Sequence, residues 1–259
     1  MIDPSAVIYE GAKIASDVEI GPFSVIGPNV TIGSGSKIGP HVVIQNTTTI
    51  GKNNQIFQFA SVGANPIDHT YKGEETRLEI GDGNIIRECA TIHGGTSKEN
   101  NVTIIGNQNL IMNYVHIGHD CEIGNRVTLV GFSGIAGHVR IRDFATVGVY
   151  CGIHQFVEIG EYSFIAQGSL IGHNVLPYLM IIPGKDKPST PFGLNTEGLK
   201  RNGFSKETIA KLKHAYKVVY RQGLRLEEAA VALKELEADC PEIKIMRQML
   251  ENTERGIVR

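Results

Sequence analysis

Aliphatic residues recur at every sixth position over most of this chain. Steps of six from Ile2 give an unbroken aliphatic run to Val62, and steps of six from Ile105 give a second run to Ile171. This period matches neither the roughly 3.6-residue turn of a helix nor the two-residue alternation of a strand. It fits a short strand and a turn, repeated, in which the aliphatic side chain points inward and the glycine that often follows it eases the bend.

Three such units would close one triangular coil, and stacked coils make a parallel β-helix. This hexapeptide pattern resembles that of the left-handed β-helix acyltransferases. The left hand comes from that resemblance, because parallel crossovers are generally right-handed. The sequence therefore predicts a mainly β fold, a left-handed parallel β-helix of hexapeptide repeats, followed by an α-helical domain.

Breaks in the period predict the domain boundaries. The β-helix should occupy residues 1–176, with outward loops at 63–79 and 93–103 where the inward aliphatic positions are lost or shifted. A Pro- and Gly-rich linker is expected at 177–204 and a helical domain at 205–259. Ser205 can cap the first of three helices there, which should end at Gly223. These helices can cover the last coil, whose open strand edge would otherwise invite aggregation.

Composition limits the classes of binding partner and the cellular compartment that we expect. The formal net charge of −2 gives no field that would favour nucleic acid or an anionic membrane. No run of 18 apolar residues is present, so no membrane insertion is expected, and the N-terminus lacks the pattern of a signal peptide. Four scattered cysteines without a CxxC pair are typical of free thiols in a reducing cytoplasm.

The stretch "NYVHIGHDCEIGN", residues 113–125, places polar residues within the second repeat run. Positions one coil of three repeats apart should stack, with roughly 4.8 Å from coil to coil. Histidines from three successive coils then converge on one edge of the prism, with His154 among them, and glycines beside them leave room for a ligand. The expected stacks are His119 with Gly137, His116 with Gly134, and Asp120 with His138.

Two chemistries compete for this cluster. Zinc can take three histidines and a water, and the γ-carbonic anhydrases hold an interfacial zinc on this coil fold. Their histidine pair is spaced His-x4-His, however, whereas at the corresponding position after His116 this chain has Cys121. A general base fits better, because histidine titrates near neutrality and an adjacent carboxylate can fix its tautomer. We therefore predict no metal, with His119 as the base, Asp120 as its orienting acid and the Gly137 N–H as an oxyanion donor.

The motifs "HIGHD", "AGHV", "HQF" and "TPFGLNTEGLKR" together are similar to those of the cytoplasmic UDP-N-acetylglucosamine acyltransferases, which start lipid A synthesis. The resemblance covers essentially the whole chain. It implies transfer of an (R)-3-hydroxyacyl group from acyl carrier protein to the 3-hydroxyl of UDP-N-acetylglucosamine, in a homotrimer and without a cofactor. By motif match it also implies substrate-binding roles for a set of polar residues: Asp68, His116, His138, His154, Gln155, Asn195, Glu197 and Arg201.

Four positions depart from the family pattern, one of them Ile67 in the first loop. Thr70 and Asn202 stand where relatives commonly have a lysine and an arginine, which removes positive charge. One hypothesis is therefore an altered acceptor, the 3-amino analogue of the sugar, which would give an amide. Gln167 replaces a glycine found in relatives that take longer chains. It should shorten the acyl groove between subunits and so favour a medium-length acyl chain.

The sequence also suggests a surface for acyl carrier protein. Four cationic residues recur every fourth position and should share one helix face. A basic patch can steer an acidic partner, although the same pattern also suits an ordinary solvated helix face. The four residues are Lys213, Lys217, Arg221 and Arg225.

Overall fold

The computed structural model describes residues 1–185 and 188–259. Most of its strands are very short. In chain order they are β1 (Val7–Ile8), β2 (Lys13–Ile14), β3 (Glu19–Ile20), β4 (Val25–Ile26), β5 (Thr31–Ile32), β6 (Lys37–Ile38), β7 (Val43–Ile44), β8 (Thr47–Ile50), β9 (Gln55–Ile56), β10 (Ser61–Ala64), β11 (Arg77–Ile80), β12 (Ile85–Ile86), β13 (Thr91–His93), β14 (Val102–Ile105), β15 (Leu110–Ile111), β16 (His116–Ile117), β17 (Glu122–Ile123), β18 (Thr128–Leu129), β19 (Gly134–Ile135), β20 (Arg140–Ile141), β21 (Thr146–Val147), β22 (Gly152–Ile153), β23 (Glu158–Ile159), β24 (Phe164–Ile165), β25 (Leu170–Ile171), β26 (Leu179–Ile182) and β27 (Thr190–Leu194).

The strands form three sheets in which, up to β25, each strand pairs with the strand three places along the chain, whereas β26 pairs with β24. One sheet runs β1-β4-β7 and onward to β25, the second β2-β5-β8 to β23, and the third β3-β6-β9 to β26. The pairing is parallel in all three, and only β27 joins antiparallel, against β26. This topology is a three-sided prism. Its interior is filled by the sixth-position aliphatic residues, which are buried from Ile20 to Ile171.

The two loops leave the prism where the period breaks, although they are shorter than the sequence suggests. The first lies between β10 and β11, at 65–76, and the second between β13 and β14, at 94–101. Ser61 pairs with Thr91 instead of with Glu79, the residue one regular coil away, so the first loop inserts extra chain into its coil. Thr91 pairs with His116 instead of with Asn109, so the second loop does the same in the next coil.

The expected linker at 177–204 differs from an irregular connection. It contains β26, β27 and a short helix, and the β26–β27 hairpin extends the third sheet of the prism. Tyr178 shows why this segment is ordered, because its ring is buried and its hydroxyl donates to the Glu242 carbonyl at 2.9 Å. Residues Asp186 and Lys187 of the expected linker lie outside the described residues.

Four helices complete the described chain: α1 (Thr196–Arg201), α2 (Lys206–Arg221), α3 (Leu226–Glu237) and α4 (Ile243–Glu251). Ser205 caps α2 by accepting a hydrogen bond from the Thr208 N–H at 3.0 Å, as predicted. Apolar residues of the helices and of the last coils belong to one continuous core. The predicted class, a left-handed parallel β-helix of hexapeptide repeats with C-terminal helices, is confirmed. No helix in the described part of the chain is long and apolar enough to cross a membrane.

Candidate active site

His119 and Asp120 lie together at one corner of the prism, in the turn between β16 and β17. His119 Nδ1 is 2.8 Å from Asp120 Oδ2, and the exposed fractions of the two side chains are 6% and 0%. Asp120 occupies a left-handed turn position, with a φ of +59°, as does His138 one coil away. With Nδ1–H donating to the carboxylate, Nε2 of His119 is left as an acceptor. That is the arrangement of a neutral imidazole ready to take a proton.

Thr96, in the second loop, holds the Asp120 carboxylate from its other side. The Thr96 N–H donates to Oδ1 and its hydroxyl donates to Oδ2, both at 2.7 Å. Burial alone would raise the pKa of Asp120, but the hydrogen bonds from His119 and Thr96 outweigh burial and hold that pKa below its ordinary value. Asp120 is therefore an anion at neutral pH, suited to stabilising a protonated His119. Sequence reasoning missed Thr96, because a loop residue has no fixed place in the coil period.

Gly137 stacks on His119, as the coil period predicts. A Cβ atom placed on Gly137 would stand 2.6 Å from His119 Cε1 and 2.7 Å from Nε2, so any side chain there would displace the imidazole. Among the described residues, none accepts a hydrogen bond from the Gly137 N–H. The stack therefore leaves a backbone donor available beside the basic nitrogen.

His138 stands one coil from Asp120, as expected. Its Nε2 is 3.8 Å from Asp120 Oδ2, and its Nδ1 is 3.3 Å from an oxygen of Glu99 in the second loop. The His138 ring meets that of His119 edge-on at 5.0 Å and stacks on Phe156 at 4.5 Å. These contacts fix the imidazole of His138 at the rim of the site.

Ligand atoms of His119, Asp120 and His138 lie within 4.8 Å of one another, which a metal ion could also use. The hydrogen bonds fit an acid–base pair better. Asp120 already accepts from Thr96 and from His119, so its carboxylate serves as an acceptor in a closed network. Binding a metal would require that network to open.

A groove runs along the first sheet from His116 to Leu170, with a cavity volume of about 540 Å³. His116 pairs with Gly134, and Gly134 pairs with Gly152. Beyond His116, the floor of the groove therefore consists of two glycines. Leu170 is 73% exposed and rests over Gly152, which places an apolar side chain at the far end. His154 lines the groove as well. A groove with a polar start and an apolar far end suits an acyl chain.

His93 is a further member of the histidine cluster that the sequence did not reveal. Its ring lies 5.2 Å from that of His116, and its Nδ1 donates to the Asn65 carbonyl at 2.7 Å. Burial lowers the pKa of both histidines, and each one's proximity to another histidine adds to that effect. Because the second loop lengthens this coil, the regular coil count could not bring His93 and His116 together.

Asp68 lies in the first loop and is held by residues of both loops. Lys98 Nζ is 2.6 Å from Asp68 Oδ2, and the Thr70 N–H and hydroxyl both donate to Oδ1 at 2.8 Å. The ammonium group of Lys98 and the Thr70 bonds hold the pKa of Asp68 well below its ordinary value. A lysine from the second loop therefore supplies a cation beside Thr70, the position at which the family resemblance implies a lysine.

The other expected substrate residues do not line the groove of the single chain. Asn195 caps α1 by accepting from the Gly198 N–H at 3.1 Å and donates to the Tyr162 carbonyl at 2.9 Å. Glu197 pairs with Lys200 on the same helix. Gln155, Arg201 and Gln167 are exposed.

The expected cationic face is smaller than the sequence suggests. Lys213, Lys217 and Arg221 are exposed on α2, at a spacing of four. Arg225 does not share that face, because Gly223 with a φ of +71° follows the end of the helix and turns the chain. Arg225 precedes α3 instead, where its guanidinium pairs with Glu228 at 3.0 Å.

The fold and this site define a transferase of the hexapeptide-repeat class. A family model described as bacterial transferase hexapeptide (six repeats) matches residues 11–46 and 102–137. A second model, described as UDP N-acetylglucosamine O-acyltransferase, domain 2, matches residues 174–258.

Full-length relatives give the family. A Pseudomonas entomophila protein named acyl-[acyl-carrier-protein]–UDP-N-acetylglucosamine O-acyltransferase is 48% identical, covering 100% of this chain and 99% of its own. The crystal structure of the Francisella novicida UDP-N-acetylglucosamine acyltransferase is 51% identical with a TM-score of 0.98, covering 100% of this chain and 94% of its own. The Arabidopsis UDP-N-acetylglucosamine acyltransferase is 31% identical with a TM-score of 0.85 over all of both chains. This chain belongs to the UDP-N-acetylglucosamine O-acyltransferase family and is an acyltransferase.

Proposed function

We propose that this protein transfers an (R)-3-hydroxyacyl chain from acyl carrier protein to the 3-hydroxyl of UDP-N-acetylglucosamine, the first step of lipid A synthesis, in the cytoplasm. The observation that carries the proposal is the buried His119–Asp120 pair, at 2.8 Å, directly beside the available N–H of Gly137. The names of the relatives supply the donor and the acceptor.

The transfer needs one base and one oxyanion donor. His119 Nε2 takes the proton of the sugar hydroxyl as its oxygen attacks the thioester carbonyl carbon. Charge develops on the carbonyl oxygen, which accepts from the Gly137 N–H, while Asp120 stabilises the imidazolium. The tetrahedral intermediate collapses with cleavage of the C–S bond, and the departing thiolate receives the proton from His119. An ester and a free carrier thiol result.

Direct attack agrees with the state of the nearby thiol. Cys121 is fully buried, and burial raises its pKa to about 12. It is therefore a neutral thiol at pH 7 and a poor nucleophile. Its Sγ contacts the Ala136 carbonyl at 3.0 Å, which is a packing role.

We propose that the active enzyme is a homotrimer whose sites lie between neighbouring prisms. The first sheet, which carries the groove, is bordered at one corner by a stacked column of exposed aromatic rings. Tyr114, Phe132 and Tyr150 are 53%, 45% and 64% exposed. A second chain covering this column would bury it and add a wall to the groove. It could also bring Gln155, Asn195, Glu197 and Arg201 to the substrate.

The deciding experiment measures acyl transfer from carrier protein to UDP-N-acetylglucosamine for the wild type and His119→Ala. We expect the variant to lose activity by about three orders of magnitude or more, because the base is removed. His119→Ala with wild-type activity would refute the mechanism. Arg126→Met, an exposed change on another corner, should stay active.

Two alternatives are tested in the same preparation. Asn202 removes one of the cations that the family resemblance implies near the substrate, and Lys98 stands beside Thr70 in place of the other. The remaining loss of charge keeps the 3-amino sugar open as the acceptor. Use of that sugar alone would replace an ester by an amide product. The grouping of His119, Asp120 and His138 keeps a zinc hydratase open, and stoichiometric zinc with activity abolished by a chelator would favour it.

A further inference from the structure

Arg255, in the C-terminal segment of the chain, lines a neighbouring cavity with His138 and Phe156 and contacts the edge of the groove through His154. One of its terminal nitrogens, Nη2, lies 3.3 Å from Nδ1 of His154, a residue that lines the groove. Among the described residues no carboxylate pairs with Arg255, whereas Arg247 is paired with both Glu237 and Glu251. The closest side-chain partner of the Arg255 guanidinium is therefore a groove histidine.

The position of Arg255 is set by Asn174, which ties the C-terminal segment to the last coil. The Asn174 N–H donates to the Gly256 carbonyl at 3.1 Å, and the Asn174 carbonyl accepts from Val258 at 2.9 Å. Its side-chain oxygen accepts from the Glu158 N–H at 2.8 Å, and its side-chain nitrogen donates to Thr253 at 3.0 Å. All four polar groups of Asn174 thus make hydrogen bonds. These bonds hold the segment that carries Arg255 against the prism.

The His154 ring has two mutually exclusive hydrogen-bonding states. Nδ1 lies 3.3 Å from the Arg255 guanidinium and 3.1 Å from the carbonyl of Gln155. Guanidinium can only donate, so the first contact requires Nδ1 to be unprotonated, with the proton on Nε2. A carbonyl can only accept, so the second contact requires the proton on Nδ1. A neutral ring makes one contact or the other.

We infer that Arg255 is a positioning residue, which selects the tautomer of His154 with the proton on Nε2 and so presents a donor to the nucleotide sugar beside the acyl groove. Among the described residues, Nε2 of His154 has no hydrogen-bond partner, so this N–H is free for a ligand. The Nε atom of Arg255 is buried, also without a partner among those residues. The guanidinium is therefore held in place by the fold rather than by solvent. The identity of the ligand that accepts from this N–H rests on the proposed function, whereas the tautomer does not.

The test replaces Arg255 by Met, which keeps its length and removes its donors, and by Lys, which keeps a cationic donor. Nitrogen-15 spectra of histidine-labelled full-length protein report the tautomer of His154 directly. We expect the wild type and Arg255→Lys to carry the proton on Nε2, and Arg255→Met to carry it on Nδ1. In the transfer assay, Arg255→Met should lower kcat/KM for the nucleotide sugar by about three- to tenfold, the worth of one lost hydrogen bond.

Arg126→Met is the matched control, because Arg126 is exposed and bonds Gln108 on another corner. It should leave both the His154 spectrum and kcat/KM unchanged. The inference fails if Arg255→Met keeps the proton on Nε2, or if Arg255→Lys behaves as Arg255→Met does. It also fails if the loss of activity in Arg255→Met is matched by an equal loss in Arg126→Met. A wild type without transfer activity would refute the proposed function instead, and the spectra would still decide the tautomer.

Discussion

At the scale of single residues, the site depends on how one carboxylate is held. Asp120 is buried and accepts from His119, from the Thr96 N–H and from the Thr96 hydroxyl. Without these donors, burying the charged carboxylate would cost free energy, and the group would tend to take up a proton. The second loop thus supports the proposed base and its acid, although none of its residues needs to touch the substrate.

Removing the Thr96 hydroxyl tests this dependence. Thr96→Val keeps the shape and the N–H donor but loses the bond to Asp120 Oδ2, which also binds His119. We expect kcat to fall about tenfold with little change in the KM of either substrate, because the base is less well oriented.

Thr96→Ser, which retains a hydroxyl, is the matched control and should stay near wild type. Thermal unfolding of both variants separates orientation from stability. A wild-type kcat in Thr96→Val would contradict a positioning role for this hydroxyl.

At the scale of elements, the short strands make the groove a column of residues that stack from coil to coil. His116, Gly134, Gly152 and Leu170 follow one another in register along the first sheet. A single residue at the end of such a column can set the length of the space. The structure puts Leu170 at that end within one chain, whereas Gln167 is exposed and should act only where a second chain closes the groove.

The dependence of activity on the length of the acyl donor shows whether Gln167 or Leu170 limits the acyl chain. Wild type should prefer a medium chain, and Gln167→Gly should move the preference toward longer donors if the acyl chain ends between subunits. Each added buried methylene is worth about fourfold in kcat/KM.

Leu170→Ala is the companion variant, since it enlarges only the part of the groove made by one chain. A shift with Leu170→Ala and none with Gln167→Gly would place the end of the acyl chain within one prism. Equal turnover of much longer donors by the wild type would contradict the length limit itself.

At the scale of the whole molecule, the helices cover the last coil and offer a cationic face. Lys213, Lys217 and Arg221 are exposed on α2, and among the described residues no carboxylate pairs with them. An unpaired basic face can raise the encounter rate with an acidic carrier protein.

Charge reversal at this face tests the docking surface. Lys217→Glu should raise the KM for acyl carrier protein several-fold at low salt, with a smaller effect at high salt. The KM for the nucleotide sugar should hardly change. Lys234→Glu, the same change on the exposed side of α3, is the control. Equal effects of the two variants, or a higher KM for the sugar alone, would argue against docking on α2.

The sequence predicts those features that depend on an uninterrupted period. Steps of one repeat place the inward side chains, and steps of one coil place Gly137 on His119 and Gly134 on His116, because the short strands stack in strict register. The linker was less predictable. Its Pro and Gly residues suggest an irregular connection, but burial of Tyr178 and pairing of β26 with β27 order much of it.

What the sequence by itself determined is the coil, the class of enzyme and the stacking of Gly137 on His119 at the proposed site, since each follows from local spacing and motif. The tertiary structure alone decided which residues support that core. Thr96 and Lys98 reach Asp120 and Asp68 from a loop, and Arg255 reaches His154 from the far C-terminal end of the chain. Their positions follow from loop closure and from the hydrogen bonds of Asn174. Both bring together residues that no fixed sequence interval relates.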